Sequence, residues 1–577
     1  MGGFTLEGRV GTREAAWRHI SDLDELARLG GLPPLVCGYR PDATGFGALR
    51  GTLLGPVGIR HDFEEHDHGW EWGHRVWVER RIQGPLLRSA SYRGSVVPVD
   101  GGHVARLEFT AEPRGLAAAP GVTLLTAGLR REWARLLEEP AERPRRQLDG
   151  ESRAALARWE RRGAPGDLVA RFQDWVERAP DAELRDLRPS ALAAAWGLDT
   201  DEVLGWLLEG TTVGLVELFF AVRCPGCSAT TARVDRLTRL DERAACGACR
   251  RSFLVDLRDH VEVRMVALPR LAPPEQERWA TVVPRARSGV RALATIPGRG
   301  QRRLEVELGP GRWRLDAGQG HPPAWVEVVR DGPAEARWTV GSASSVRVGP
   351  GRSELSVENP GERTVRVVLV DEEVTGGLVS AARLATLPTY RGVFGTQTLA
   401  PGVYLGVSRV VLLVTDLLSS QTLYTELGDR RALAFVDGHL RELERLVGEG
   451  GGVRVKTVGD SLVAAFDAPG AAAAVAMGMQ EHYARWAGGQ GVTEVPDLRV
   501  GVSAGPALAA RSDASGLDWS GGTANRAVMA ARSVDGGEVG LTATVAAFAP
   551  PLTGWRVVQR GELTVLQRGG ADGSALA

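Results

Sequence analysis

The chain has 577 residues, 43% of them hydrophobic, a proportion ordinary for soluble globular proteins and a length that accommodates several domains. Its 70 basic and 71 acidic residues almost cancel, so composition makes no electrostatic case for nucleic acid or an anionic membrane as partner. No run approaches the roughly 20 apolar residues of a bilayer-spanning helix; the most apolar one, 213–222, carries Glu217, residues 1–30 lack a basic-then-apolar leader, and Leu6 stands where a myristoylation signal wants Ser or Thr, so a cytoplasmic location is expected.

Residues 1–145 begin with a strand pattern over 4–10 and a helix through Trp17 and Leu26. Alternating strands follow, and an amphipathic stretch over 122–137 ends the region. Over 70–78 a period of two is expected to place tryptophans on one face and Glu71, Gly73 and Arg75 on the other. Strand, helix, antiparallel sheet and long helix form a helix-grip order similar to START-like, polyketide-cyclase-type domains, and that resemblance implies a cavity for an apolar ligand. His66 and His68 would share a strand face and could pair on a metal, but a solvated polar edge is the expected setting. Cys37 reads as a small buried apolar residue.

Residues 150–222 read as a helical segment with helix-turn-helix-like apolar stripes. The acidic run 199–202 argues against a DNA-reading helix and for a packing module. Next, 223–262 holds Cys224 and Cys227, then, after 18 intervening residues, Cys246 and Cys249. Two Cys-x-x-Cys knuckles at that spacing predict a zinc ribbon with four thiolates around a structural Zn²⁺, no open coordination position remaining for catalysis. A redox dithiol is the rival reading. From 275 to 395 short alternating segments with Gly-Pro turns predict a β-sandwich. A connector over 378–404, including Tyr390 and Phe394, is expected to relay the state of these domains forward.

The final segment, 405–570, carries the most specific signal. The apolar run 410–414 reads as a buried strand ending near Asp416, and 451–466 reads as a hairpin whose turn holds Gly459 and Asp460. Each aspartate alone is an ordinary turn or cap residue. Brought together, two such carboxylates offer hard oxygen ligands suited to Mg²⁺ or Mn²⁺. Taken in order, Thr415 to Tyr424, Gly451 to Phe466, Leu498 to Pro506 and Leu517 to Asn525 resemble the catalytic domain of class III nucleotide cyclases. The fold class that follows is multidomain α+β, ending in a ferredoxin-like α/β cyclase domain, and the module order is similar to multidomain bacterial cyclases.

The resemblance implies that Asp416 and Asp460 hold two metal ions, that Lys456 contacts the purine base, and that Asn525 orients the ribose. It implies dimers, because the family's sites lie between two catalytic domains. Ser419, Ser420 and Gln421 are expected at a helix start near a phosphate, and Thr523 beside the substrate. Two departures stand out. Gly522 is read as the second base-contacting position, lacking an acceptor, and Met529 stands where the family has an arginine that stabilises charge on the triphosphate. Arg532 is seven residues beyond Asn525 on one helix face, where it is a partial substitute or simply a helix-end cation. The leading expectation is an ATP-favouring cyclase, with two alternatives: a nucleotide-binding pseudocyclase, and the metal-bearing half of a heterodimer.

Overall fold

In the computed structural model, the described residues are 2–21, 26, 36–39, 49–54, 60–138, 145–179, 181–246, 251–269, 289–318, 321–342, 345–371, 378–394, 397–492, 494–512, 516–551 and 553–568. The N-terminal strand Gly2–Val10 pairs antiparallel with Gly102–Pro113, and the sheet continues through Leu87–Val99, Arg75–Gln83 and Arg60–Glu71. Helices Arg13–Ser21 and Ala119–Glu138 pack on it. Their apolar faces meet the sheet through Trp17, Ile20, Leu129 and Trp133, whose indole donates to the Leu26 carbonyl at 2.8 Å.

The sheet does not end at the N-terminal segment. Trp70 and Glu71 pair with Leu293 and Ala292 of Val290–Ile296, and the same sheet proceeds through Val365–Asp371, Gly311–Asp316, Ala324–Val328 and Val346–Val348. A second layer, Gly300–Leu308, Gly351–Asn359 and Glu335–Thr339, covers this half, with Leu304, Trp313, Trp338 and Leu369 between the layers. The sandwich strands end at Asp371, and helices Ala381–Ala385 and Pro388–Phe394 follow.

Burial on both faces of this shared sheet corrects two readings. The stretch 70–78 is not one strand: Gly73, at φ 73°, sits in a hairpin turn between Arg60–Glu71 and Arg75–Gln83. Glu71 is fully buried and bonded by Arg75 at 2.7 and 2.8 Å instead of facing water. His68 is likewise no solvated edge residue. It is buried, in contact with Glu65 and 2.9 Å from the Arg366 guanidinium of the neighbouring segment. The side chains of His66 and Cys37 lie outside the described residues.

The middle module has helices Gly150–Arg161, Gly166–Arg178, Pro189–Trp196 and Thr200–Thr211. Asp199 caps the last of these, accepting from the Asp201 and Glu202 N–H groups at 2.8 and 3.2 Å. Residues 216–222 depart from the helical expectation. Val216–Arg223 is the central strand between Val261–Ala267 and Thr230–Val234, because its β-branched and aromatic run is buried nearly throughout while Glu217 alone points out. A separate hairpin, Arg243–Cys246 with Arg251–Leu254, completes the cysteine-bearing region.

The C-terminal sheet runs in the order Val453–Val458, Ser461–Phe466, Leu405–Leu417, Leu498–Ser512, Val539–Thr542, Leu563–Arg568, Trp555–Arg560, with Gly516–Ser520 beside Leu498–Ser512. Alternation splits its residues between two cores. Val411, Leu413, Phe466 and Val502 meet helices Asp429–Glu449 and Pro469–Gly488 through Phe435 and Met479. Val410, Leu412, Val414 and Val455 face the other way, into a core shared with helix Gly522–Arg532, the helices at 381–394 and the middle module. The Leu257 N–H donates to the Gly406 carbonyl at 2.8 Å and Arg258 bonds Asp467 at 2.6 Å, tying module to sheet. Among the described residues no helix is long and apolar enough to cross a membrane.

Candidate functional site

The central strand Leu405–Leu417 pairs on one side with Ser461–Phe466 and on the other with Leu498–Ser512. Near its end Thr415 is fully buried, its hydroxyl oxygen accepting the Leu462 N–H at 3.0 Å. That bond pins the hairpin against the strand end. Asp416 stands opposite Arg499 in the register, and its Oδ2 accepts from Arg499 Nε at 2.8 Å and from Nη2 as well. Its Oδ1 accepts from the Ser461 hydroxyl at 3.1 Å. Asp460 directly precedes Ser461 in a turn that Gly459 makes at φ 62°. The turn therefore brings Ser461, the residue after Asp460, to the strand end that bears Asp416.

Asp416 and Asp460 are both half-buried, accessible to an ion yet partly shielded from water. Arg499 already places positive charge on Asp416. Asp416, with the Ser461 hydroxyl beside it and Asp460 next to that serine in the chain, offers hard oxygen donors of the kind that Mg²⁺ or Mn²⁺ takes. Behind the turn lies His439, fully buried and packed against Tyr483 and Trp486. Burial pushes its pKa down to about 4 against a smaller opposing effect of the Asp460 backbone, so the ring is neutral at physiological pH.

The other end of the hairpin carries Lys456, whose ammonium donates to Asp518 Oδ2 at 2.7 Å. Asp518 lies on Gly516–Ser520, paired with Ala510 of the neighbouring strand, and its Oδ1 accepts its successor's N–H at 2.8 Å. This corrects the sequence expectation for Gly522. Asp518, four residues earlier, is the residue brought to Lys456, while Gly522 opens helix Gly522–Arg532 on the surface, near the Arg526 guanidinium. An acceptor is thus present where none was expected.

Thr523 departs as well. It is fully buried, donates to the Pro506 carbonyl at 2.7 Å and accepts from Arg526 at 3.0 Å, so it anchors the helix and is not open to substrate. Asn525 and Met529 are exposed one turn apart on that helix, Met529 at 61%. Arg532 is also exposed, in the last turn. Ser419 adopts φ 60° and makes no side-chain cap; Ser420 and Gln421 start the helix Ser420–Leu427 directly after the strand bearing Asp416.

A second donor cluster lies in the middle module. The sulfurs of Cys224, Cys227 and Cys246, all buried, lie within 4.8 Å of one another, with Cys227 and Cys246 3.5 Å apart. The Gly226 N–H points to Cys224 Sγ at 3.4 Å. Three converging thiols with a knuckle amide fit a thiophilic ion such as Zn²⁺. Cys249 lies outside the described residues.

Residues 405–574 match the family model for the adenylate and guanylate cyclase catalytic domain, and residues 151–275 match a family of unknown function, DUF5939. No curated protein matches the chain. Among solved structures, similarity extends to the monomeric guanylyl cyclase domain of the RhoGC fusion protein from the aquatic fungus Blastocladiella emersonii, at 16% identity over 29% of this chain and 98% of that one with a TM-score of 0.26. It extends also to the adenylyl cyclase CyaB from P. aeruginosa, at 16% identity, 30% and 97% coverage and a TM-score of 0.25. An adenylate cyclase from Trypanosoma brucei in its monomeric state shares 21% identity, with 29% and 92% coverage and a TM-score of 0.24. The family match over the segment that carries the two strand-end aspartates and the Lys456 hairpin makes the C-terminal part of this chain a class III adenylate and guanylate cyclase catalytic domain.

Proposed function

We propose that the chain is a nucleotide cyclase in intracellular signalling that converts a nucleoside triphosphate, ATP by preference, to a 3′,5′-cyclic nucleotide and pyrophosphate. The observation that supports this reading is one hairpin that bonds Ser461, the neighbour of Asp460, to Asp416 and on its other side presents Lys456 to Asp518. Asp416 and Asp460 would hold two divalent cations, which when bound supply Lewis acidity at the ribose 3′-hydroxyl and neutralise the leaving pyrophosphate. The 3′-oxygen bonds to the α-phosphorus, the α–β phosphoanhydride bond breaks, and the hydroxyl proton leaves to solvent. Arg499, partly exposed beside Asp416, offers its guanidinium to the triphosphate.

Lys456 and Asp518 supply one donor and one acceptor, matching the N1 acceptor and N6 amine of adenine. Guanine presents O6 and N1–H in the reverse order along the same edge, so a fixed pair discriminates between them. Asn525, exposed on its helix, reaches the ribose of a site formed with a second catalytic domain, either another copy or a different cyclase chain. Around this domain, the cysteine cluster holds a structural Zn²⁺. The strand, helix, sheet and long-helix order of the N-terminal segment supports a START-like unit that takes an apolar ligand.

Met529 favours a second reading. Its thioether cannot stabilise negative charge on a transferring phosphoryl group, and loss of one such donor costs about 10²–10³ in rate. On that reading the chain binds triphosphate as a pseudocyclase, or supplies the metal-bearing half of a heterodimer. The test incubates full-length protein with Mn²⁺ and each of ATP, GTP, CTP and UTP and measures cyclic products by mass spectrometry. Cyclic AMP as the main product, absent with Asp460→Ala, is the expected result; triphosphate binding without product selects the second reading.

A further inference from the structure

We propose that Arg391, on the helix Pro388–Phe394 that leads into the catalytic domain, is a positioning residue for Lys456, so that the connector governs nucleotide affinity. The proposal rests on the reading of Lys456 and Asp518 as the base site.

Lys456 lies on Val453–Val458, the edge strand of its sheet, with Ser461–Phe466 as its single strand neighbour among the described residues. Pairing is interrupted at one point: Arg454 is opposite Ala464, Lys456 is opposite Val463, and Val455 is an extra residue between them. Such a bulge bends a strand, leaves part of its ladder unmade and re-aims the next side chain. Here Val455 turns fully into the core and Lys456 reaches Asp518. An edge strand with a bulge is held weakly by its own sheet, and the structure supplies an outside support, because Arg391 Nη1 donates to the carbonyl of Arg454, the residue at the bulge.

The support is itself braced. Tyr390 is buried and stacked on Phe394 at 5.2 Å, and both rings join the core that contains Val453 and Val455. Upstream, the Val263 N–H donates to the Val379 carbonyl at 2.8 Å, the Ala382 N–H donates to the Leu257 carbonyl at 3.2 Å, and Arg383 pairs with Asp201 at 2.7 Å. A continuous set of bonds thus joins the module at 151–275 to the backbone two residues before Lys456. A shift of that module is thereby passed through Arg391 to the strand that bears the base-contacting lysine.

The experiment compares wild type, Arg391→Ala and Arg391→Lys in the full-length protein by steady-state kinetics with ATP and by amide hydrogen exchange over 453–458. The expected outcome for Arg391→Ala is a KM for ATP raised about tenfold with kcat within about twofold, faster exchange at 453–458, and substantial recovery of both by Arg391→Lys. Unchanged KM and unchanged exchange would overturn the proposal, as would a fall in kcat and melting temperature with KM unaltered. Should the wild type make no cyclic product from any triphosphate, the cyclase reading fails, and the exchange comparison still decides whether Arg391 holds the strand.

Discussion

Met529 exposes an apolar side chain one turn beyond Asn525, at the position where the sequence resemblance implies an arginine. Met529→Arg is therefore expected to raise the initial rate of cyclic product formation with Mn²⁺ and ATP at least about tenfold; an unaltered rate would show that the deficiency lies elsewhere. At this scale the sequence was most legible where chain-local geometry decides. Asp416 lies near the end of an apolar strand, and Asp460 occupies a turn that Gly459 can make, so the strand and the hairpin that carry them both left local signals. The contact of Asp518 with Lys456 was missed because it depends on cross-strand pairing between Leu498–Ser512 and Gly516–Ser520. A usable signal existed, since Leu517 and Trp519 are both apolar and both buried, which turns the residue between them to the opposite face. Nothing comparable marked Thr523, whose hydroxyl is spent on the Pro506 carbonyl.

The helix that carries Asn525 and Met529 lies unusually close to its sheet. A Cβ placed on Gly501 would meet Ala531 N at 2.2 Å and Ala527 O at 2.4 Å. Both are backbone atoms that cannot rotate away. Gly501→Ala should accordingly destabilise the protein by about 1–3 kcal/mol in chemical denaturation and reduce product formation, because the helix must retreat from the strand. Gly501→Ala with a wild-type denaturation midpoint would contradict the close contact. Elements were legible where a short β-branched run stood next to a recognisable motif, as for the central strand of the C-terminal sheet. They were less so over 216–222, where an unbroken apolar run suits a buried strand or a buried helix equally well. Its position between two partner strands settles the matter. The 70–78 region misled for the reverse reason: alternation persisted across a hairpin turn that only the positive φ of Gly73 reveals.

Across the whole molecule, the cysteine cluster sits at a junction. Cys224, Cys227 and Cys246 share a core with Trp17, Val290 and Val368, and Arg251 of the adjoining hairpin pairs with Asp316 at 2.5 Å. If the cluster holds Zn²⁺, purified protein should contain about one zinc per chain by elemental analysis. A strong chelator should then remove it, with a fall in melting temperature and accelerated proteolysis over 216–260; a metal-free preparation melting at the same temperature as one loaded with zinc would count against a structural ion. Composition shifts and motif spacing mark segments along the chain, but the joining of those segments was not legible, because pairs such as Trp70 with Leu293 lie far apart in the chain and leave no local trace. That shared sheet limits how the protein can be cut or recombined. A fragment ending near residue 145 would present the Trp70 end of Arg60–Glu71 as a raw, aggregation-prone edge, and an exchange of the N-terminal unit between related genes would have to carry the strands from Val290 to Asp371 along with it.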